Sequence, residues 1–250
     1  MSTKCEWGRC GWQRFYDPAH GYQTMACRAP AMFEDDFLGT ATLLDGSTIW
    51  SVVDVSVGGD AAPARVADGE NGQVEIKLAA NNEDEDSVLY WGDERGINVK
   101  DGCIWEARIN VAVLPTLTAE AVFGLCGDHN LVKDDATEAV WFKLDGNGTL
   151  VLESDDTTND NSDVAAATPA GVATTIVAGT WYNFRIDTTV NTDVRFYVDG
   201  VNVGSATTFD ISNLTDAEGI MQPYFSLDKT GDVGVGTIYI DRVAAWWNRA

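Results

Sequence analysis

Three runs in the last third of the chain alternate large apolar with polar residues: Trp181-Tyr-Asn-Phe-Arg-Ile-Asp187, Asp193-Val-Arg-Phe-Tyr-Val-Asp-Gly-Val-Asn-Val203 and Gly236-Thr-Ile-Tyr-Ile-Asp-Arg-Val-Ala-Ala-Trp-Trp247. A period of two marks a strand with one face buried and the other in water. In the middle run Val194, Phe196 and Val198 share a face, and Asp199-Gly200 accepts the positive φ angles of a tight hairpin turn. This predicts strands at 194–199 and 201–206 paired across Asp199-Gly200, within an antiparallel sheet that the last run closes.

The same alternation starts near residue 33. Phe33–Phe37 opens it, and Ile49–Val55, Gln73–Leu78, Val88–Trp91, Ile104–Val111, Ala121–Leu125, Ala139–Leu144 and Thr149–Glu153 read as further strands, with Asp145-Gly-Asn-Gly148 as a hairpin turn. About a dozen short strands at this spacing make a two-sheet sandwich. Its core is expected to hold Trp105, Phe123, Trp141, Phe184, Phe196 and Tyr239. No window carries a helical apolar stripe, and no apolar run is long enough for a membrane span. The first residues lack the apolar stretch of a secretory signal.

Residues 1–32 break the pattern. Trp7, Trp12, Phe15, Tyr16 and Tyr22 are interleaved with basic residues without alternation, and a Pro-bounded exit follows at Arg28-Ala-Pro-Ala. The division is therefore an irregular N-terminal arm, 1–32, and a β-sandwich body, 33–250.

Charge sharpens that division. The formal net charge is −23. Lys4, Arg9, Arg14 and Arg28 outnumber Glu6 and Asp17 in the arm, a net of +2, which leaves −25 on the body. So acidic a body repels a phosphate backbone, which argues against nucleic-acid partners. A basic, aromatic arm suits an interface, because Trp, Tyr and Arg dominate binding hot spots. Trp7, Trp12, Arg14, Phe15 and Tyr16 are the expected partner-binding residues of the arm.

The five cysteines are an odd set without a visible signal peptide, so reduced thiols are the expectation. Cys103 and Cys126 lie in strand-like runs and should act as small core hydrophobes. Cys5, Cys10, His20 and Cys27 offer a Cys₃His donor set, but the spacing matches no compact zinc finger. Free thiols or an adventitious disulfide fit that spacing better.

Two acidic segments, Asn81–Asp86 and Asp155–Asp163, read as loops. Clustered carboxylates and amides are what calcium requires, and Asp155, Asp156, Asp160 and Asp163 are the candidate ligands. Neither segment has the spacing or the central Gly of an EF-hand loop, and the competing reading is solvated surface. No other cofactor is expected.

Catalytic motifs are missing. Neither His20 nor His129 stands in a nucleophile or metal motif, and no phosphate-binding or dinucleotide-binding glycine pattern occurs. A glycoside hydrolase on a sandwich needs two carboxylates about 5–10 Å apart on one face. Along one strand that means i, i+2 or i+4; the string Glu-x-Asp-x-Glu does not occur, its nearest imitation, Glu83-x-Glu85, lies in an acidic segment read as a loop, and Glu106 has no carboxylate at i+2 or i+4. The expectation is a protein without catalytic residues.

An ordered series then supports a resemblance: Trp105-Glu-Ala-Arg-Ile109, Trp141-Phe-Lys-Leu-Asp-Gly146 followed by Asp155-Asp156, Phe184-Arg-Ile-Asp187, Val194-Arg-Phe-Tyr-Val-Asp-Gly200, Thr208-Phe209, Gln222-Pro-Tyr224 with Lys229, and Ile238-Tyr-Ile-Asp-Arg242. Over about residues 33–248 this resembles tailed-bacteriophage virion proteins with a concanavalin A-like jelly roll. The resemblance implies a non-enzymatic structural protein of the particle, a capsid decoration protein on the outer surface of the virion. It would be made in the host cytoplasm, form a homo-oligomer and contact capsid protein or symmetry mates through the arm. The alternative is a carbohydrate-binding receptor module of a tail or fibre, with a host surface glycan as partner, since exposed aromatic rings on a lectin-like sandwich can stack on sugars. A glycoside hydrolase of the same fold is third. Neither nucleic acid nor membrane is an expected partner.

Overall fold

The computed structural model describes residues 31–38, 48–58, 62–146 and 148–248 in full, and before them the backbone of three short strands. Those three are β1 (Lys4–Trp7), β2 (Gln13–Tyr16) and β3 (Gln23–Met25). The body follows with β4 (Ala31–Asp35), β5 (Ser51–Val55), β6 (Ala64–Arg65), β7 (Val74–Leu78), β8 (Glu83–Tyr90), β9 (Ile97–Asn98), β10 (Cys103–Val113) and β11 (Glu120–Cys126). Next come β12 (Glu138–Leu144), β13 (Leu150–Asp156), β14 (Asp160–Ala165), β15 (Trp181–Asp187), β16 (Arg195–Val198), β17 (Val201–Asn202), β18 (Ile220–Asp232) and β19 (Gly236–Trp247). Among the described residues the only helical element is a 3-10 turn, Lys133–Asp135. None of their helices is long and apolar enough to cross a membrane.

Two eight-stranded antiparallel sheets face each other. The first runs β17-β16-β15-β10-β19-β7-β6, and β4 pairs with β19 beyond the end of β7. The second runs β14-β13-β12-β11-β18-β8-β5, and β9 pairs with β18 where β8 has ended. The sandwich predicted from the alternation is thus the observed architecture.

The period of two is visible residue by residue. On β10, Cys103, Trp105, Ala107, Ile109 and Val111 point inward and are buried, while Ile104, Glu106, Arg108 and Asn110 lie on the outer face. Phe123, Phe142, Phe184 and Phe196 meet between the sheets, with ring centroids 4.6 Å (Phe123–Phe184), 5.1 Å (Phe142–Phe184) and 5.2 Å (Phe142–Phe196) apart. Each ring contributes roughly 1.5–3 kcal/mol by leaving water, and edge-to-face contacts add to that. The 194–202 hairpin forms across Asp199 and Gly200, whose φ of 48° and 79° are those of the expected turn. Its second strand is shorter than expected, because after Asn202 the chain leaves the sheet.

Several expectations change. Trp141 is buried on the far side of the second sheet, in a separate cluster with Val88, Val122, Cys126 and Tyr224. Tyr239 is only half-buried on the outer face of the first sheet and donates its hydroxyl to Glu75 at 2.8 Å. The segment Asn81–Asp86 is not a loop, since Glu83–Asp86 form the first half of β8. Glu85 and Asp86 tolerate burial there because Lys229 and Lys133 stand beside them, at 3.5 Å and 2.9 Å. The segment Asp155–Asp163 is a hairpin, with Asp155–Asp156 ending β13 and Asp160–Asp163 inside β14. The arm, expected to be irregular, contains β1–β3, which pair with one another into a separate antiparallel sheet.

Candidate functional site

Each sheet presents one face to the core and one outward, so a site must be sought on the two outer faces and the loops around them. The outer face of the second sheet is charged and largely closed. Trp141, Tyr224 and Tyr90 come from strands β12, β18 and β8, and Gly124 of β11 separates the first two. A side chain at Gly124 would lie 2.6 Å from the Trp141 backbone, so glycine is required for this close approach. The 127–137 segment folds over the row: His129 Nδ1 lies 2.8 Å from the Tyr224 hydroxyl, and Lys133 pairs with Asp86.

A second knot surrounds Lys143, whose ammonium meets Glu153 at 2.6 Å, Asp163 at 2.8 Å and Asp134 at 3.4 Å. Burial opposes the charge of Lys143, but the hydrogen bonds to Asp163 and Glu153 outweigh it and raise its pKa. Trp141 Nε1 donates to the other oxygen of Glu153 at 2.6 Å. Between the knots, Asp228 pairs in register with Asp86 on one side and Glu120 on the other. Burial first, and the carboxylates of Asp86 and Glu120 with it, push its pKa up to about 7.

The calcium candidates lie at the margin of this face and do not converge. Asp156 is filled by backbone N–H groups of Thr158, Asn159 and Asn213 and by two side-chain amides. Asp163 is committed to Lys143, Asp155 accepts from Thr157, and Asp160 accepts from Ser162. Among the described residues no group of three or more His, Cys, Asp or Glu side chains is arranged to hold a metal ion. The four residues therefore do not fit a calcium site in this arrangement. Cys103 and Cys126 are buried free thiols, as expected of core positions. Trp12, Cys10, His20 and Cys27 lie outside the described residues. Trp7, Arg14, Phe15 and Tyr16 are placed as strand backbone on β1 and β2, as Cys5 is on β1.

The outer face of the first sheet is open. One transverse row, in register, is Tyr197–Arg185–Glu106–Ala244–Glu34, across β16, β15, β10, β19 and β4. A recess of about 340 Å³ opens here, lined by Glu106, Asn183, Phe184, Arg185, Tyr197 and Gly200. Arg185 lies with its guanidinium 5.4 Å from the Tyr197 ring centre, 3.0 Å from Asp187 and 4.0 Å from Glu106. Arg242 joins Glu106 (3.7 Å) to Glu34 (2.8 Å). One outward residue further along β10, Arg108 pairs with the buried Asp241 and stacks on Trp181 at 4.6 Å. Burial raises the pKa of Asp241 against the opposing pull of Arg108. These residues carry carboxylate, amide, guanidinium and phenol groups beside aromatic rings, all fixed by neighbours on a rigid sheet.

None of these residues stood out in the sequence as a site. They are the polar half of the alternation in Trp181–Asp187 and Ile104–Val111, which reads equally as plain solvated surface. Along its own strand Glu106 has no charged partner within two residues except Arg108, whereas Arg185 and Arg242, which meet its carboxylate, come from the two neighbouring strands.

No family model and no curated protein matches the sequence. Solved structures do match in three dimensions. The carbohydrate recognition domain of Emp47p aligns at a TM-score of 0.55 and 12% identity, covering 88% of this chain and 98% of that one. A chain from work on endo-acting O-glycanases, expressed by human gut microbiota to initiate mucin breakdown, aligns at 0.55 and 12%, covering 87% and 99%. An uncharacterised protein from Mycobacterium paratuberculosis aligns at 0.53 and 19%, covering 86% and 99%. At these identities what is shared is the fold: the chain is a concanavalin A-like, lectin-type β-sandwich.

Proposed function

We propose that the chain is a carbohydrate-binding module, and that the recess beside Glu106, Asn183, Arg185 and Tyr197 receives the sugar. The observation that carries this is the recess itself. It is a concavity of about 340 Å³ on a rigid sheet, within the volume range of small-molecule sites. Its Glu carboxylate accepts, its Arg guanidinium donates and its Asn amide does both, matching hydroxyls that donate and accept at once. The neighbours with carbohydrate recognition domains add support at the level of fold. The reading is of binding without catalysis, since the Glu106 carboxylate in the recess is already shared between two arginines.

The test is a glycan panel against the native protein, followed by Glu106→Gln and Asn183→Ala. Binding that falls at least tenfold in both variants, with unchanged melting curves, is the expected result. A native protein that binds no glycan at millimolar concentration overturns the reading.

The setting we propose is the surface of a virus particle, made in the host cytoplasm, with the arm holding the module to capsid protein or symmetry mates. Beside the sequence resemblance, this rests on one structural observation: β1–β3 form a sheet of their own, not additional strands of the sandwich. On such a particle a sugar-binding face would serve attachment to a host surface glycan.

A further inference from the structure

Resting on the carbohydrate reading above, we infer that the ligand is a neutral oligosaccharide of several residues, laid along β15 from the recess to Trp181. Three observations lead there.

First, part of the set of buried polar atoms without partners lies on that line, others lying elsewhere, as Trp105 Nε1 does in the core and Asp228 Oδ1 on the second sheet. Among the described residues, Arg185 Nε, Asn110 Oδ1 and Asp241 Oδ1 are buried yet have no hydrogen-bond partner. Asp241 is only 4% exposed. All three belong to the outer face of the first sheet, through β15, β10 and β19. A buried donor or acceptor left unmade is costly, and on this open face an external ligand is what can supply the missing bonds. Hydroxyls that both donate and accept satisfy one donor and two acceptors together.

Second, the line is longer than one sugar. Arg185 and Trp181 are four residues apart on one strand, about 13 Å. The recess lies at the first end, and Trp181 faces the same way at the other, with Asn110 opposite it in register. Tyr197 and Trp181, an aromatic ring at each end, offer the flat apolar surfaces on which the C–H faces of pyranose rings pack. Arg108 lies between the ends, its fork held by Asp241 on one side and the Trp181 ring on the other. A donor fixed in this way loses little freedom on binding.

Third, each of the four guanidiniums on the face already has a carboxylate, Arg195 having Asp193 at 3.4 Å. Arg185 has Asp187 and Glu106, Arg242 has Glu34 and Glu106, and Arg108 has Asp241. A uronate or sialate would have to displace one of these while approaching a chain of net charge −23. Neutral sugars meet no such opposition.

The experiment is a calorimetric chain-length series on the full-length protein. It uses neutral gluco-, manno- and galacto-oligosaccharides from one to six residues and a hexagalacturonate as the acidic counterpart, with Trp181→Ala and Trp181→Phe beside the native chain. The expected result is an affinity that rises at least tenfold between the monosaccharide and the tetrasaccharide of one neutral series. Trp181→Ala should abolish the gain and Trp181→Phe retain most of it, with hexagalacturonate weaker at every salt concentration. A monosaccharide that binds as tightly as the hexasaccharide overturns the extended site while leaving the carbohydrate reading intact. Tighter, salt-sensitive binding of hexagalacturonate overturns neutrality alone. A folded native protein that binds none of the probes removes both this inference and the reading beneath it.

Discussion

The Arg108 guanidinium lies 4.6 Å over the Trp181 ring and closes an ion pair with Asp241, a carboxylate only 4% exposed. One side chain thereby ties β10 to both of its neighbours. Replacing it with Ala should leave Asp241 buried without its cation and cost about 1–3 kcal/mol. Arg108→Lys keeps the charge but loses the flat stack, and should fall between the two. Urea unfolding of the three proteins checks this. Equal midpoints for native and Ala variants would show that the pair contributes nothing.

Lys143 is the keystone of the other outer face. Lys143→Met should destabilise strongly, by about 3–5 kcal/mol, because it strands Glu153 in a buried position. The double variant Lys143→Met with Glu153→Leu should recover much of the loss, since replacing both charges removes the uncompensated one. The measurement is the double-mutant cycle in urea. Additive losses would contradict the coupling.

Asp228 gives a pH dependence of defined sign. Its folded pKa is pushed up to about 7, above the ordinary aspartate value of 3.8. Between those values the folded state holds a proton that the unfolded chain has released. Stability from this group is full below about pH 4, declines as pH rises, and is lost above about 7. Asp228→Asn should remove that decline, leaving the variant more stable than the native protein at pH 8 by about 1–3 kcal/mol. Melting curves from pH 4 to 8 decide. Parallel curves for the two proteins would exclude a protonated Asp228.

Chelator should leave the melting temperature unchanged. The Asp155–Asp163 hairpin has its carboxylates engaged by backbone amides, Asn213, Ser162 and Lys143, and a ligand bound only to the native state would have raised the midpoint by mass action. A fall on adding chelator would restore the calcium site.

Deleting residues 1–30 should leave a folded sandwich, because β4 begins at Ala31 and pairs with β19 through Trp247. If the arm is the anchor, the truncated chain keeps its melting midpoint and no longer joins a particle. Incorporation at normal copy number would refute the anchor.

Much of the fold was legible because strand alternation is a local signal: β10, β15 and the hairpin at Asp199-Gly200 could be placed from neighbouring residues alone. Positions that depend on partners far along the chain were not. Glu85 and Asp86 look like loop residues until Lys229 and Lys133 are brought to them from distant sequence. Trp141 reads as core and is buried, but which side of its sheet it occupies follows from register and from Gly124 beneath it. The recess was the least legible feature, since Glu106, Arg185 and Tyr197 belong to three strands and each alone is an ordinary outward residue.

The border strand β14 has a further consequence. Open sheet margins invite another chain to add its own strand, yet here the margin carries Asp160 and Asp163, and the pairing of β13 with β14 is interrupted between Leu152 and Ser154. Asp163 itself sits at a φ of 53°. At the far side of the other sheet the border strand, β17, is only two residues long. Charge and kinked backbone thus oppose strand addition at the β14 margin, and shortness does so at β17. That protection weakens in acid, where neutralised carboxylates would let the margins meet.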